Sequence, residues 1–313
     1  MNTLPEFFQS DPSGFSEDRL PDFTPVDESL MLSQSDIDAI CQSRHPLIAA
    51  AEAQCRAGSF SEASASIDQL LNGGTPANSL QACLLEATFS GSIPLVRRLL
   101  SVGVPVSVNL VEPAIRHHSL DLLSLFLDFG LDLNKEVEWC IPPPLSLALD
   151  AEADEKVVKW FLANGADPDA RCQMDITPFS IALQYAPLPV VKLLFRHTQS
   201  PRNGQLLHYA ARRRLHHSSE VIELVLQHCQ ELHMNDIMYH NHAFSFAVRK
   251  CVGLGTPLHE AAATGTPDTV RALLSHGADL MARDSLGNTP FEAAQLSENG
   301  EVVELLSQLS MDR

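Results

Sequence analysis

The amino-acid sequence predicts an all-α solenoid of about eight helix-turn-helix units with projecting hairpins, and three observations carry that prediction. The tetrapeptide Thr256-Pro257-Leu258-His259 recurs as Thr289-Pro290-Phe291-Glu292, 33 residues later, a period that marks a repeat architecture. Residues that open a first helix and residues that close a second one keep a common spacing along the chain. The 313 residues exceed one ordinary compact domain, yet no linker rich in Pro, Gly or Ser divides them after residue 45. A stack in which each unit touches only its neighbours reconciles the length with the missing linker.

The unit over 255–294 shows the local physics. Thr256 offers a hydroxyl to cap a helix N-terminus, Pro257 sits at the first helical position where no backbone donor is lost, and Leu258 begins an apolar face. Ala261 and Ala262 keep that helix slim against its partner, and Gly265 is expected to end it by turning left-handed. Val270, Leu273 and Leu274 fall on one face of a second helix, which Gly277 closes. Ala278-Asp279 to Gly287-Asn288 then carries the turn residues of a projecting hairpin. One such unit cannot bury its apolar face alone.

The register extends through the chain. The openers are Leu47, Leu84, Leu110, Leu145, Phe179, Leu207, Leu258 and Phe291; the closers are Gly74, Gly103, Gly130, Gly165, Thr198, Cys229, Gly277 and Ser310. Opener-to-closer spacings are 27, 19, 20, 20, 19, 22, 19 and 19, so only the first unit is clearly expanded. There Gly58 arrives four residues late, enough for one more helical turn, as suits a capping unit. Pro113 falls inside the proposed first helix of unit three, where it should disturb the hydrogen bonding. Second-helix stretches such as Val157-Val158-Lys159-Trp160-Phe161-Leu162 set apolar residues around an exposed charge, which places Trp160 in the buried series. Closer-to-opener intervals give room for complete hairpins only at 131–144, 166–178 and 278–290, leaving 104–109 and 199–206 as plain connections. The interval from Cys229 to Leu258 is 29 residues long and reads as an insertion at about 230–254, a loop on one face of the array.

These motifs resemble the ankyrin-repeat family: the Thr-Pro-Leu-His opening, the 33-residue period and the Gly-Ala-Asp turn after the second helix. The resemblance implies that His259, and His208 at the matching position, are structural hydrogen-bonding residues between units. It further implies a concave recognition surface formed by the residues that follow each opener and by the finger tips. By register these are Gln184, Tyr185, Arg212, Arg213, Glu260 and Thr264, with finger residues Trp139, Met174, Asp175, Arg283 and Leu286. Arg212-Arg213-Arg214 is the one basic triplet of an acidic chain. It reads either as a solvated helix end or as a positive spot for an acidic partner segment, with Trp139 and Tyr185 as aromatic anchors.

Composition narrows the function. A formal charge of −18 argues against direct binding to nucleic acid or an anionic membrane, since either needs a positive surface. Seven cysteines without a C-x-x-C pair fit reduced thiols in the cytoplasm or nucleus, and neither a signal peptide nor a long apolar run is present. Residues 1–40 hold nine acidic residues against Arg19 alone, interleaved with Phe7, Phe8, Phe15 and Phe23 and broken by prolines. This tail is expected to be disordered, as a solubilising segment or an amphipathic activation segment; Ser33-Gln34-Ser35-Asp36 then reads as a helix start, and the array is taken as 41–313. His216, His217, His228, His233, His240 and His242 cluster near Cys229 and Cys251, but their spacings match no zinc signature. No nucleophile elbow or phosphate loop occurs. The expectation is a non-enzymatic scaffold, monomeric by itself, that binds a protein partner and needs no cofactor, metal or small-molecule substrate. A transcriptional co-regulator using the tail is the alternative, and a metal-dependent enzyme using the histidine-rich insertion is the third reading.

Overall fold

The computed structural model describes residues 46–198, 203–229 and 232–311. The acidic tail over 1–40 and the helix start at Ser33 lie outside the described residues. By internal contacts the chain divides into Met1–Ala49 and Ala50–Arg313. Of the first unit, only the start of one helix, Pro46–Ala49, is described; the architecture below is that of the second.

Helices pair in chain order. They run as α1 (Pro46–Arg56) and α2 (Phe60–Asn72), α3 (Gln81–Phe89) and α4 (Ile93–Ser101), then α5 (Val111–Arg116) and α6 (Leu120–Asp128). A 3-10 helix over Pro144–Ala148 precedes α7 (Glu155–Ala163), followed by α8 (Pro178–Tyr185) with α9 (Leu188–Phe195) and α10 (Leu206–Ala211) with α11 (Ser218–His228). After α12 (Ala243–Arg249) come α13 (Pro257–Thr264) with α14 (Pro267–Ser275) and α15 (Pro290–Leu296) with α16 (Gly300–Met311). First helices stack on first helices, α8 on α10, α10 on α13 and α13 on α15; second helices do the same, α9 on α11, α11 on α14 and α14 on α16. This is the ladder that the register demanded. The openers Leu84, Leu110, Leu145, Phe179, Leu207 and Leu258 are all buried between layers, with Leu95, Leu99, Val158, Phe161, Val191 and Leu194 behind them. Removing such side chains from water is the main favourable term of the stack.

The closers Gly74, Gly103, Gly130, Gly165 and Gly277 have φ of +84, +91, +96, +88 and +89, the left-handed geometry that ends each second helix. Gly265 departs from that expectation. Its φ is −82, and its reason for lacking a side chain is steric: a Cβ there would lie 2.5 Å from the carbonyl oxygen of Ala211 at the end of α10.

Five further features differ from the sequence-based expectation. Pro113 is the third residue of α5, inside the first turn, where backbone N–H groups have no intrahelical partner; it therefore costs no hydrogen bond. The first helix of unit four is a 3-10 turn, opened by Pro142, Pro143 and Pro144. Trp160 is half-buried, and its indole N–H donates to Ser124 Oγ at 3.1 Å. The three fingers are turns, not strand hairpins. Their tips are closed by backbone pairs, Cys172 N to Ile176 O at 3.0 Å and Asp284 N to Asn288 O at 2.9 Å, with a lone antiparallel bridge between Glu138 and Ile141 and no strand among the described residues. The described part of the insertion, from residue 232, forms α12 and a 3-10 turn over Lys250–Val252, and it carries buried Met238, Tyr239 and Leu254.

Candidate interaction surface

The first helices are held to the fingers by the histidines of the repeat. Thr256 N donates to His259 Nδ1 at 3.1 Å, which leaves the proton on Nε2 to be donated to Asn288 O at 2.9 Å, one unit further on. His208 Nε2 meets Asp236 O at 3.0 Å in the same way. Burial holds the His208 imidazole neutral, with its pKa pushed down to about 4, because Glu260 and the Asp236 carbonyl favour the charge less than desolvation opposes it. In place of the capping threonine before α10 stands Gln205, left-handed at φ +52. Its amide donates to Asp175 Oδ2 at 2.7 Å and accepts from Tyr239 N at 2.8 Å, so a single side chain ties α10 to the preceding finger and to the insertion.

The insertion lies along the first helices and the finger tips. Tyr239 and Met238 pack with Tyr209 of α10 and with Cys172, Met174 and Ile176 of the 166–178 finger, while Phe244 and Phe246 flank the same cluster. Phe244 meets Trp139 edge-on at 6.4 Å, which carries the insertion across to the 131–144 finger. Its far end is fastened to the 278–290 finger: Ser285 N donates to Leu254 O at 2.8 Å, Leu254 N to Ser285 Oγ at 2.8 Å and Ser285 Oγ to Lys250 O at 2.7 Å.

This covering changes the standing of the residues that the register assigned to recognition. Met174 is 0% exposed and Asp175 is 2% exposed, the first under the insertion and the second bonded to Gln205; neither is a surface residue. Arg213 is 1% exposed and donates to Leu183 O at 3.2 Å and Ala186 O at 2.8 Å, so it caps the C-terminus of α8 from inside. Glu260 is buried against Arg212, Oε2 to Nε 2.7 Å. Desolvation opposes the Arg212 charge, but the Glu260 carboxylate outweighs it and the guanidinium pKa is raised. Met238 Sδ and the Tyr209 ring cover the rest of Arg212. The basic triplet is therefore no free positive spot: Arg212 and Arg213 are consumed inside the structure, and Arg214 alone of the three is exposed. Trp139, Tyr185, Thr264, Arg283 and Leu286 are exposed and Gln184 is half-buried. The structure brings together only part of this set, and Trp139 already faces the insertion.

Beyond the insertion, the face formed by α13, α15 and the last finger is open. A groove of about 170 Å³ runs there. Half-buried Ala263 and Ala293 line it, with Val252, Leu286 and Leu296 at 70%, 58% and 73% exposure. Asp284 shapes the rim by accepting from Leu286 N at 2.9 Å and Asn288 N at 2.8 Å, which holds Leu286 out at the finger tip. Gly253, at φ +84, lets the insertion close against Leu286. Val252, Ala263, Ala293 and Leu296 were missed from sequence. Leu296 had a usable signal: it stands five residues after its opener, as Gln184 and Arg212 do after theirs, and it alone of the three is apolar.

Two comparisons fit this geometry. The family model for ankyrin repeats, three copies, matches residues 145–237 and again 237–312. A 51-residue stretch is 45% identical to human Rabankyrin-5; it covers 16% of this chain and only 4% of that much longer protein. The ladder of paired helices, the inter-unit histidines and the family match over more than half of the sequence agree, and the chain belongs to the ankyrin-repeat family.

Proposed function

We propose that this chain is a protein-binding scaffold whose recognition surface is the open face of its last two units, α13 and α15 with the 278–290 finger. The observation that supports this is the position of the insertion. It covers the corresponding face of α8 and α10 together with two fingers, and leaves three large apolar side chains exposed around one groove. Monomeric soluble proteins rarely expose contiguous apolar surface without a use for it. Among the described residues no helix is long and apolar enough to cross a membrane, and no group of three or more His, Cys, Asp or Glu is placed to hold a metal. The six described cysteines are free thiols, which supports a reducing compartment, cytoplasm or nucleus.

The test is to recover partners by affinity purification with the full chain and with a chain lacking residues 1–40, then to map the footprint of an identified partner by hydrogen exchange. The scaffold reading expects protection concentrated in α13, α15 and the 278–290 finger, unchanged by the deletion. Protection confined to α2, α4, α6 and the other second helices would reject it. Loss of the partner on deleting 1–40, together with loss of reporter activation, would favour the co-regulator instead.

A further inference from the structure

We infer that the groove between Val252, Leu286 and Leu296 takes an apolar side chain of leucine, methionine or phenylalanine size from a protein segment that carries lysine or arginine beside that anchor; this rests on the scaffold reading and names the chemistry of its partner.

Shape argues for the anchor. The groove holds about 170 Å³, close to the about 150 Å³ of a cavity that takes one benzene-sized group, so it accommodates a whole side chain and is too small for a folded element. Small Ala263 and Ala293 and the larger Val252, Leu286 and Leu296 make up its apolar lining, beside polar groups of comparable extent. A side chain inserted between them would leave water together with Val252, Leu286 and Leu296, which desolvates both partners at one spot, the arrangement that dominates interface energetics. Its charged and imidazole groups are already partnered: the Asp284 carboxylate by the backbone N–H groups of Leu286 and Asn288, His259 by Thr256 and Asn288, and Glu260 by Arg212.

Charge argues for the flanks. From Asp284 to Met311 the chain carries Asp284, Glu292, Glu298, Glu301 and Glu304 and no lysine or arginine. Glu298 directly follows the groove residue Ser297 and is exposed, as are Glu292, Glu301 and Glu304. Arg249 and Lys250 precede Val252 on the insertion side, outside this acidic stretch, and Arg283 is turned to its own finger, where it donates to Gly287 O at 2.5 Å and lies 4.0 Å from Glu292. Arg212, on the other side, is neutralised by Glu260. The net charge of −18 adds long-range attraction for a basic segment. An acidic segment would meet like charge along the whole C-terminal side.

The experiment uses the full chain and three fluorescent peptides: one with a central Leu-Phe anchor flanked by Lys and Arg, one with the same anchor flanked by Glu and Asp, and one with the basic flanks and Ser at the anchor. Fluorescence anisotropy should show the basic anchored peptide binding about tenfold or more tightly than either control, and weakening as salt is raised. The double variant L286S/L296S, both exposed and outside the stack, should lower that affinity about tenfold or more while leaving the far-UV circular dichroism unchanged. Equal binding of the acidic and basic peptides, no binding of the basic anchored one, or full affinity in the double variant would each overturn the inference. The scaffold reading fails separately. If an identified partner protects α13 and α15 while the basic anchored peptide does not bind, the surface stands and only the assigned chemistry is wrong.

Discussion

Acidification should loosen the stack at α10 through His208, and the size of the effect follows from its burial. The imidazole ordinarily titrates near 6.5 and is pushed down to about 4 in the fold. A depressed folded pKa means that the unfolded chain binds the proton first. The stability associated with neutral His208 is therefore fully present above about pH 6.5 and is lost as pH falls toward 4. Between pH 7 and pH 5 the loss works out to about 2 kcal/mol, and the full shift corresponds to about 3 kcal/mol. The groups that act on the ring are Glu260, Arg212 and Asp236, the last through both its carbonyl and its carboxylate. His208→Gln keeps a donor near the Nε2 position and removes the titration. Urea unfolding followed by circular dichroism should show the wild type losing about 2 kcal/mol more than the variant between these pH values. Imidazole NMR should show His208 still neutral at about pH 5.5. Parallel pH profiles for the two proteins, or a His208 ring that titrates near its ordinary value, would refute the reasoning.

Arg212→Ala should destabilise by about 3 kcal/mol or more because it strands a buried Glu260 carboxylate, whereas the double variant with Glu260→Ala should recover part of that loss in a thermodynamic cycle. Gly265→Ala should cost about 2–3 kcal/mol through its clash with the Ala211 carbonyl. Gly277→Ala, which meets no atom within 4 Å but carries a positive φ, should cost only about 1 kcal/mol in the same denaturation assay. Tyr239→Phe removes a buried hydroxyl that lies against the Tyr209 hydroxyl without well-formed hydrogen-bond geometry, so thermal unfolding should show a change within about 1 kcal/mol. A loss beyond about 1 kcal/mol would mean that the pair with Tyr209 is a full hydrogen bond.

Much of the ladder was legible because its causes are local. A helix that begins at Pro257 and ends before Gly265, or a closer such as Gly165 at φ +88, is fixed by residues within one turn of it. The inter-unit bonds of His208 and His259 repeat with the period itself, across 28 and 29 residues. The insertion was not legible in this way. Its contacts reach far back in sequence, Ser245 to Met174 across 71 residues and Phe244 to Trp139, and a seven-residue helix such as α12 leaves little periodicity to detect. The same distance hid the fate of Arg213, whose carbonyl partners lie at the C-terminal end of α8, 30 and 27 residues earlier. Register gave each residue only its distance from its opener; it could not say which way Arg213 would turn beyond the end of α10, or what another part of the chain would lay over Arg212.

The distinction bears on how such a surface acquires specificity. α10 packs directly on α13, so the extra residues between them are not needed to continue the stack. Their contribution is subtractive and additive at once. Met238 and Tyr239 close the face over α10 and the 166–178 finger, and the same segment ends by supplying Val252 as one side of the groove beside α13. Where substitutions on the first helices would tune an open surface residue by residue, the insertion moves its boundary by several residues in one step. The buried Arg212–Glu260 pair lies at that boundary, covered by Met238 and bonded across from α10 to α13. A buried ion pair adds little net stability but penalises any arrangement that separates its partners. The pair therefore fixes α13 against α10 at the place where the covered face gives way to the open one, and the groove is held in shape from the inside.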